Sequence, residues 1–219
     1  MGEQKKYDVI CIGQAVQDIL TTNVPKNAFM METDTVKADS LTITTGGDAV
    51  NEAIILSRLG NKSSVVVRLD NRNVGNMIYQ ELKDENVDVS MISRQDDCEN
   101  FTSMIFIHPD GDHDFIVGPG KNYMLSRSDV DFSVFSKARA VSAGSLFTLG
   151  ELDTNRIEEI FKIAQDAGAY TFADANFDLK GIGPDAIKGV YPYTDYIIPS
   201  LNEAMYMTGK KNVDDIADW

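Results

Sequence analysis

The stretch from Thr44 to Gly60, TTGGDAVNEAIILSRLG, sets two glycines, an aspartate and an asparagine at the head of an apolar run with helical spacing. Glycine at such a start permits positive φ and lets a ligand approach the main chain. Asp48 stands at or beside the N-cap and Asn51 one turn further on, so the two can share one side of the helix. Exposed backbone N–H groups, a carboxylate and an amide would cradle a polyhydroxylated molecule. A tight turn with Asp48 as a plain helix cap would use the same residues, and spacing alone leaves both readings open. Other stretches carry less chemistry. HPDGDHD, His108 to Asp114, gathers two histidines and three aspartates, yet Pro-Asp-Gly is turn chemistry and His113 would face away from Asp112 and Asp114. GPGKN, Gly118 to Asn122, lacks both the earlier glycine and the following Ser or Thr of a phosphate loop. GQAVQD, after the first strand, has a single glycine, which argues against a dinucleotide fold, and no Gly-x-Ser-x-Gly elbow occurs.

The elements that must position these residues alternate. YDVICIG (Tyr7 to Gly13) and SSVVVRL (Ser63 to Leu69) read as buried strands, and Asp48 to Leu59 and Val74 to Glu85 as helices. Further strands are expected at Ala138 to Ala143, Ala169 to Asp174 and Asp195 to Pro199, with helices near Asp153 to Ala167 and from Leu201 to Met207, ending at Gly209. This order predicts an α/β fold, a doubly wound, mainly parallel sheet with helices on both faces, in one domain over residues 1–219. Residues 35–45 and 102–118 alternate instead in the manner of antiparallel strands, the second pair around a PDGD turn, and would form a small β lid at one edge. Phe101, Met104, Phe106, Phe115 and Phe147 are expected in the core by default.

Composition narrows the partners. The 219 residues are 43% hydrophobic and 25% charged, and 34 acidic against 20 basic residues leave a net charge of −14. Lys and Arg are scattered, so no footprint for nucleic acid or an anionic membrane exists. The opening MGEQKKYDVICIG is charged and lacks the long apolar core and small-residue cleavage site expected of a secretory leader, and no run approaches the roughly 18 apolar residues of a membrane span. Cys11 and Cys98 give neither a disulfide framework nor a metal spacing, which suits a reducing cytoplasm.

GGDAVNEA resembles the first signature of the ribokinase-like carbohydrate kinases, the PfkB family, and the rest of the chain follows that family's order. The matching features are Asp18 after the first strand, the lid segments, VSAGSLF at Val141 to Phe147, Asp174 to Asn176, and PSLNEAMYMTG at Pro199 to Gly209. The resemblance implies ATP-dependent phosphorylation of a sugar hydroxyl. Asp18, Gly46, Gly47 and Asn51 would hold the sugar, with Asp48 tuning its identity and Asn122 a further contact. Asp174, Asn176, Ser200 and Glu203 would border the phosphate and Mg²⁺ region, with ATP and Mg²⁺ as cofactors and no dedicated metal cluster required. Lid strands in this family commonly pair between subunits, so the resemblance makes a homodimer through the lid plausible.

Departures from the family pattern bear on substrate and phosphate contacts. Asp70, Asn71 and Arg72 stand where a Gly-Asp-Asp run is usual, Asp178 stands where an arginine is common, and Ser200 replaces an asparagine. The family's Gly-Ala-Gly-Asp signature, which carries the catalytic base, is absent and would lie beyond Trp219. The chain is therefore expected to be the N-terminal part of a longer kinase, inactive alone and with an apolar sheet edge exposed. A nucleoside kinase of the same family, or a sugar-binding remnant without phosphoryl transfer, are the alternative functions.

Overall fold

The computed structural model describes residues 5–33 and 35–219, so the first four residues of the MGEQKK stretch lie outside it. Its centre is a five-stranded sheet in the order β11-β10-β9-β1-β4, formed by β1 (Tyr7–Ile12), β4 (Ser63–Val66), β9 (Ala138–Leu146), β10 (Tyr170–Ala175) and β11 (Tyr196–Ile197). Every pairing in this sheet is parallel. The pleat divides β1 between two cores. Ile10 and Ile12 pack with α3 (Arg156–Asp166) residues Ile157, Ile160 and Phe161, while Val9 and Cys11 pack with Ala49, Val50 and Ala53 of α1 (Asp48–Arg58) and Ile78 and Leu82 of α2 (Asn73–Asp84). Helices thus cover both faces, as the near-continuous apolar runs of the strands require.

The lid is a separate four-stranded sheet, β3-β2-β7-β8, built from β2 (Val16–Thr22), β3 (Ser40–Gly46), β7 (Thr102–Ile107) and β8 (His113–Val117). Sequence reading missed β2, which lies between the two expected lid segments, antiparallel to β3 and parallel to β7. Residues 35–39 are irregular, so the first lid segment is a strand only from Ser40. The registers align Asp18 with Thr44 and Ser103, and therefore place Leu20, Ile105 and Phe115 on the Asp18 face and Ile43, Ile19, Met104 and Ile116 in a row on the opposite one. Phe101 and Phe147 are core residues as expected, but Met104 and Phe115 are exposed because the lid has no layer packed against it there.

HPDGDHD is a turn: the His108 amide donates to the Asp112 carbonyl at 2.8 Å and Lys26 pairs with Asp110 and Asp112, each at 2.9 Å. Among the described residues no group of three or more His, Cys, Asp or Glu side chains could hold a metal ion. Two other boundaries differ from expectation. The strand from Ser63 breaks after Val66, and its continuation β5 (Arg68–Asp70) pairs with β6 (Ser93–Gln95) in a two-stranded sheet of its own. β11 is only two residues long, and at the sheet's edge it leaves Tyr196 and Ile198 exposed. The chain closes with α4 (Leu201–Thr208), stopped by Gly209 in the left-handed conformation, and the short α5 (Val213–Ala217).

Candidate active site

The carboxyl ends of β1 and β9 and the N-terminus of α1 converge on one point, which is where open parallel sheets bind ligands. The two glycines before α1 are required by the protein's own atoms. A Cβ on Gly46 would stand 1.9 Å from Asp18 Oδ2, and one on Gly47, at φ 93°, would stand 2.4 Å from the Gln14 carbonyl oxygen. Stripping both side chains lets the lid strand β2 lay the Asp18 carboxylate directly against the turn. Asp48 is the first residue of α1, Gly47 being the N-cap, and its carboxylate accepts a hydrogen bond from the Ser145 hydroxyl in the loop after β9. The plain helix-cap alternative for Asp48 is thereby removed.

Two cavities share Asp48 and Asp174. The larger, about 610 Å³, is lined by Asp48, Asn51, Glu52 and Asp174 over an apolar floor that includes Phe172 and Ile198. The smaller, about 330 Å³, is lined by Asp48, Asp174, Asn176, Ser200 and Glu203. No lysine, arginine or histidine lines either. Unrelieved negative charge shows in the titration of the acids. Burial, with Asp48 nearby, raises the Asp18 carboxyl; burial raises Glu52, with Asp48 adding to the effect. Asp174 is pushed up to about 6, first by burial and then, against one hydrogen bond from the Ala175 amide, by Asp48, Glu203 and Glu52.

Several expected site residues have local roles as well. Ser200 and Glu203 form a reciprocal capping box at the start of α4, the Ser200 amide donating to Glu203 Oε2 at 2.7 Å. Asn176 Oδ1 accepts from the Phe177 amide at 2.7 Å. Asn122 stands apart from both cavities: its carbonyl accepts from Arg68 Nη1 at 2.9 Å and its side chain reaches Asp97. Arg68 borders a third cavity of about 740 Å³, where Asn122, Ser126 and Asp129 occupy its two terminal nitrogens and its Nε is buried without a hydrogen-bond partner among the described residues. Two departures acquire structural reasons. Asp70 Oδ1 accepts from the Arg72 and Gly75 amides at 2.7 and 3.2 Å, which makes it a cap for α2. Asp178 gathers the Ile182 and Gly183 amides and the Tyr206 hydroxyl, at 3.0, 2.8 and 2.7 Å, and closes a turn.

The sequence profile of the pfkB family carbohydrate kinase matches residues 6–219. The chain belongs to the pfkB family of carbohydrate kinases. Similar proteins include probable fructokinase-4 of Arabidopsis thaliana, 25% identical over 177 residues that make up 78% of this chain and 54% of that protein. Fructokinase-2 of Solanum lycopersicum is 26% identical over 78% of this chain and 54% of its own length, and ribokinase of Mus musculus 24% identical over 64% and 43%. The chain spans about half the length of the curated relatives it matches. Among solved structures, fructokinase of Halothermothrix orenii superposes with a TM-score of 0.74 at 19% identity, covering 96% of this chain and 74% of that one. Arabidopsis thaliana ribokinase complexed with ribose and ATP gives 0.68 at 18% identity, covering 100% of this chain and 67% of its own. These likenesses establish the fold.

Within this pfkB chain, sequence reading missed four residues that shape the site: Glu52, Gly144, Ser145 and Asp153. Glu52 had a signal, since it lies one turn after Asp48 on α1. Its Oε2 is buried without a hydrogen-bond partner among the described residues. Gly144 lets β9 approach α1, for a Cβ there would meet the Asp48 Cβ at 2.9 Å and the Ala49 amide nitrogen at 3.0 Å. Ser145 was read only as part of VSAGSLF and Asp153 only as the start of an expected helix, because what matters about them is a backbone conformation and a contact between loops. Among the described residues no helix is long and apolar enough to cross a membrane.

Proposed function

We propose that the intact protein transfers the γ-phosphoryl group of ATP to a hydroxyl of a neutral sugar, as a fructokinase or ribokinase would, and that residues 1–219 form one ribokinase-like domain with its lid. The observation that carries this reading is the Asp18 carboxylate seated against Gly46, beside Asp48 and facing the turn that opens α1. A half-buried carboxylate is a strong acceptor for the vicinal hydroxyls of a sugar, and a substrate lacking them would leave it unpaired. Gly46 and Gly47 offer main chain to the ring, Asn51 an amide, and Asp48 a second acceptor fixed by Ser145. The Asp18 and Asp48 carboxylates accept from hydroxyls and repel an anionic substrate, so uncharged polyols suit them better than sugar acids.

Asp174, Asn176, Ser200 and Glu203 form the phosphate end. Carboxylates repel ATP unless a cation stands between, and this lining supplies only hard oxygen ligands, which suits Mg²⁺ held by one or two carboxylates, waters and ATP phosphates. Bound there, Mg²⁺ would neutralise phosphate charge. The residues of this chain orient the acceptor hydroxyl and exclude water, and none is assigned the part of general base. The lid supports a homodimer. Its apolar row, Ile43, Ile19, Met104 and Ile116, crosses all four strands on the face away from Asp18 and suits a second lid.

A coupled ATP-turnover assay with D-fructose, D-ribose, a keto-deoxy sugar acid and adenosine tests the reading. Turnover with a neutral sugar at the highest kcat/KM is expected. Turnover confined to the sugar acid or to adenosine would overturn it.

A further inference from the structure

Asp153 lies outside both cavities, yet its carboxylate is among the most completely buried charges in the molecule, at 1% exposure. It precedes α3 but does not cap it, the N-cap being Asn155. Both of its oxygens turn back to the loop after β9. Oδ1 accepts from the Phe147 amide and Oδ2 from the Leu149 amide, each at 2.8 Å. That loop is held in a conformation its residues disfavour: Ser145 and Phe147, neither a glycine, have φ of 70° and 75°. Strain of this kind persists only where surrounding bonds over-determine it.

The loop is also where the parts of the site meet. The Ser145 hydroxyl donates to Asp48 at the head of α1. Gln14, whose carbonyl presses on Gly47, donates through its side chain to the Thr148 carbonyl. The Leu146 carbonyl accepts from the Asn176 amide at 3.0 Å, and the Phe147 ring meets Tyr206 of α4 edge-on at 5.7 Å. One strained loop thus touches the sugar end through Asp48 and the phosphate end through Asn176.

We propose that Asp153 is a positioning residue of this site, which holds the Ser145 to Leu149 loop in its strained form and so fixes the Asp48 carboxylate through Ser145. The consequence for sugar binding rests on the carbohydrate-kinase reading, whereas the geometric part stands without it. Asp153 touches no substrate in this scheme and acts through two intermediaries. Asp48 freed from Ser145 would rotate among its rotamers and lose orientation toward the sugar.

The test uses Asp153→Asn, Ser145→Ala and the double variant in the intact protein, with D-fructose and D-ribose as probes and amide hydrogen exchange as an activity-independent readout. In Asp153→Asn the carboxamide opposes one loop donor, so the Phe147 and Leu149 amides should exchange about 100-fold faster. KM should rise about tenfold with kcat changed much less. Ser145→Ala should reproduce the KM rise while those amides stay protected. The double variant should show no more than the larger single effect, since both act along one path. Unaltered amide protection in Asp153→Asn, an unaltered KM in Ser145→Ala, or KM effects that multiply would each overturn the proposal. Should Asp153→Asn fail to fold, the KM of Ser145→Ala decides alone. If the intact wild-type protein phosphorylates neither sugar, the kinase reading has failed, and amide exchange together with a crystal structure of Asp153→Asn, showing whether Ser145 still reaches Asp48, decides the geometric part.

Discussion

The carboxyl end of the central sheet and the lid use the same β-branched residues to opposite ends. Ile12, at the end of β1, is 0% exposed, and Ile43, in the lid strand β3, is 55% exposed. Around Ile12 two of the acids that shape the site are tied down, Asp48 by Ser145 and Asp153 by two amides. Lid strands are held mainly by their backbone ladders, and apolar residues stand out on both faces, Phe115 on one and Ile116 on the other. The inner strands of the first region complete their burial on folding, and only its β10–β11 edge stays open. The second leaves apolar area, worth roughly 2 kcal/mol per large aliphatic side chain once covered, for an encounter with substrate or another lid. Preorganised chemistry on the sheet and uncommitted surface on the lid therefore divide the work between rigidity and closure.

Asp18 spans the two regions, a lid residue whose carboxylate reaches the α1 turn, and its removal should have the largest effect. Asp18→Ala is expected to lower kcat/KM for the sugar about 1000-fold, since the substrate's hydroxyls lose a charged acceptor. Stability should hold or rise, because burial and Asp48 both disfavour that carboxylate. Steady-state kinetics beside thermal melting checks this. Unchanged kcat/KM would defeat the site assignment, and a collapse in melting temperature would make Asp18 a structural residue of the fold. Next in size is Gly46→Ala, whose Cβ would fall on the Asp18 carboxylate and force it away. A loss of about 100-fold in kcat/KM is expected. Adding Gly46→Ala to Asp18→Ala should cost little more, because the group it displaces is gone. Full additivity would mean the glycine serves the backbone alone.

Lid variants probe the other side of the comparison. Ile43→Asp with Ile116→Asp should change the monomer's stability by less than about 1 kcal/mol, both side chains being exposed. Self-association measured by sedimentation should fall at the same time. Cooperative unfolding of the whole chain by this pair would show that the lid belongs to the core.

Which parts were legible follows from the same contrast. Buried parallel strands and amphipathic helices write strong apolar periods into the sequence, so β1, β9, β10, α1 and α2 were readable within a few residues. VQDILTT of β2 is half-buried along most of its length and has no clean alternation, so a central lid strand went unseen. SSVVVRL reads as one strand, and its break at Val67 follows a pairing with Ser93 to Gln95 that no local signal announces. At the site, Gly-Gly-Asp and Asn51 were legible because glycine is conspicuous. Positive φ at Ser145 and Phe147 is not, since neither residue type advertises it, and Asp153 reads as an ordinary residue before a helix.

The smallest expected effect separates the regions by pH. Asp153 and Asp174 are pushed up to about 6, in each case chiefly by burial, while in the unfolded chain both titrate near 3.9, a value of about the usual Asp size. Between roughly pH 4 and 6 the folded protein holds protons that the unfolded chain has released, so these two groups make stability fall as pH rises through that window. Their full penalty is present at pH 7, with the share of the partly exposed Asp174 discounted for screening. In the lid, His108 is raised, first by its hydrogen bond with the Val24 carbonyl and then by Asp114. Its contribution is complete below about 6.5 and fades as pH climbs through the raised value, again lowering stability but in a higher window. Melting temperature should therefore drop by about 3 to 5 °C from pH 5 to pH 8 in two steps. Asp153→Asn should shrink the lower step to the share of Asp174 and leave the upper, and His108→Asn should remove the upper step and leave the lower. A single step lost in both variants would mean that lid and sheet titrate as one unit, and the division between a rigid site and an uncommitted lid would fail.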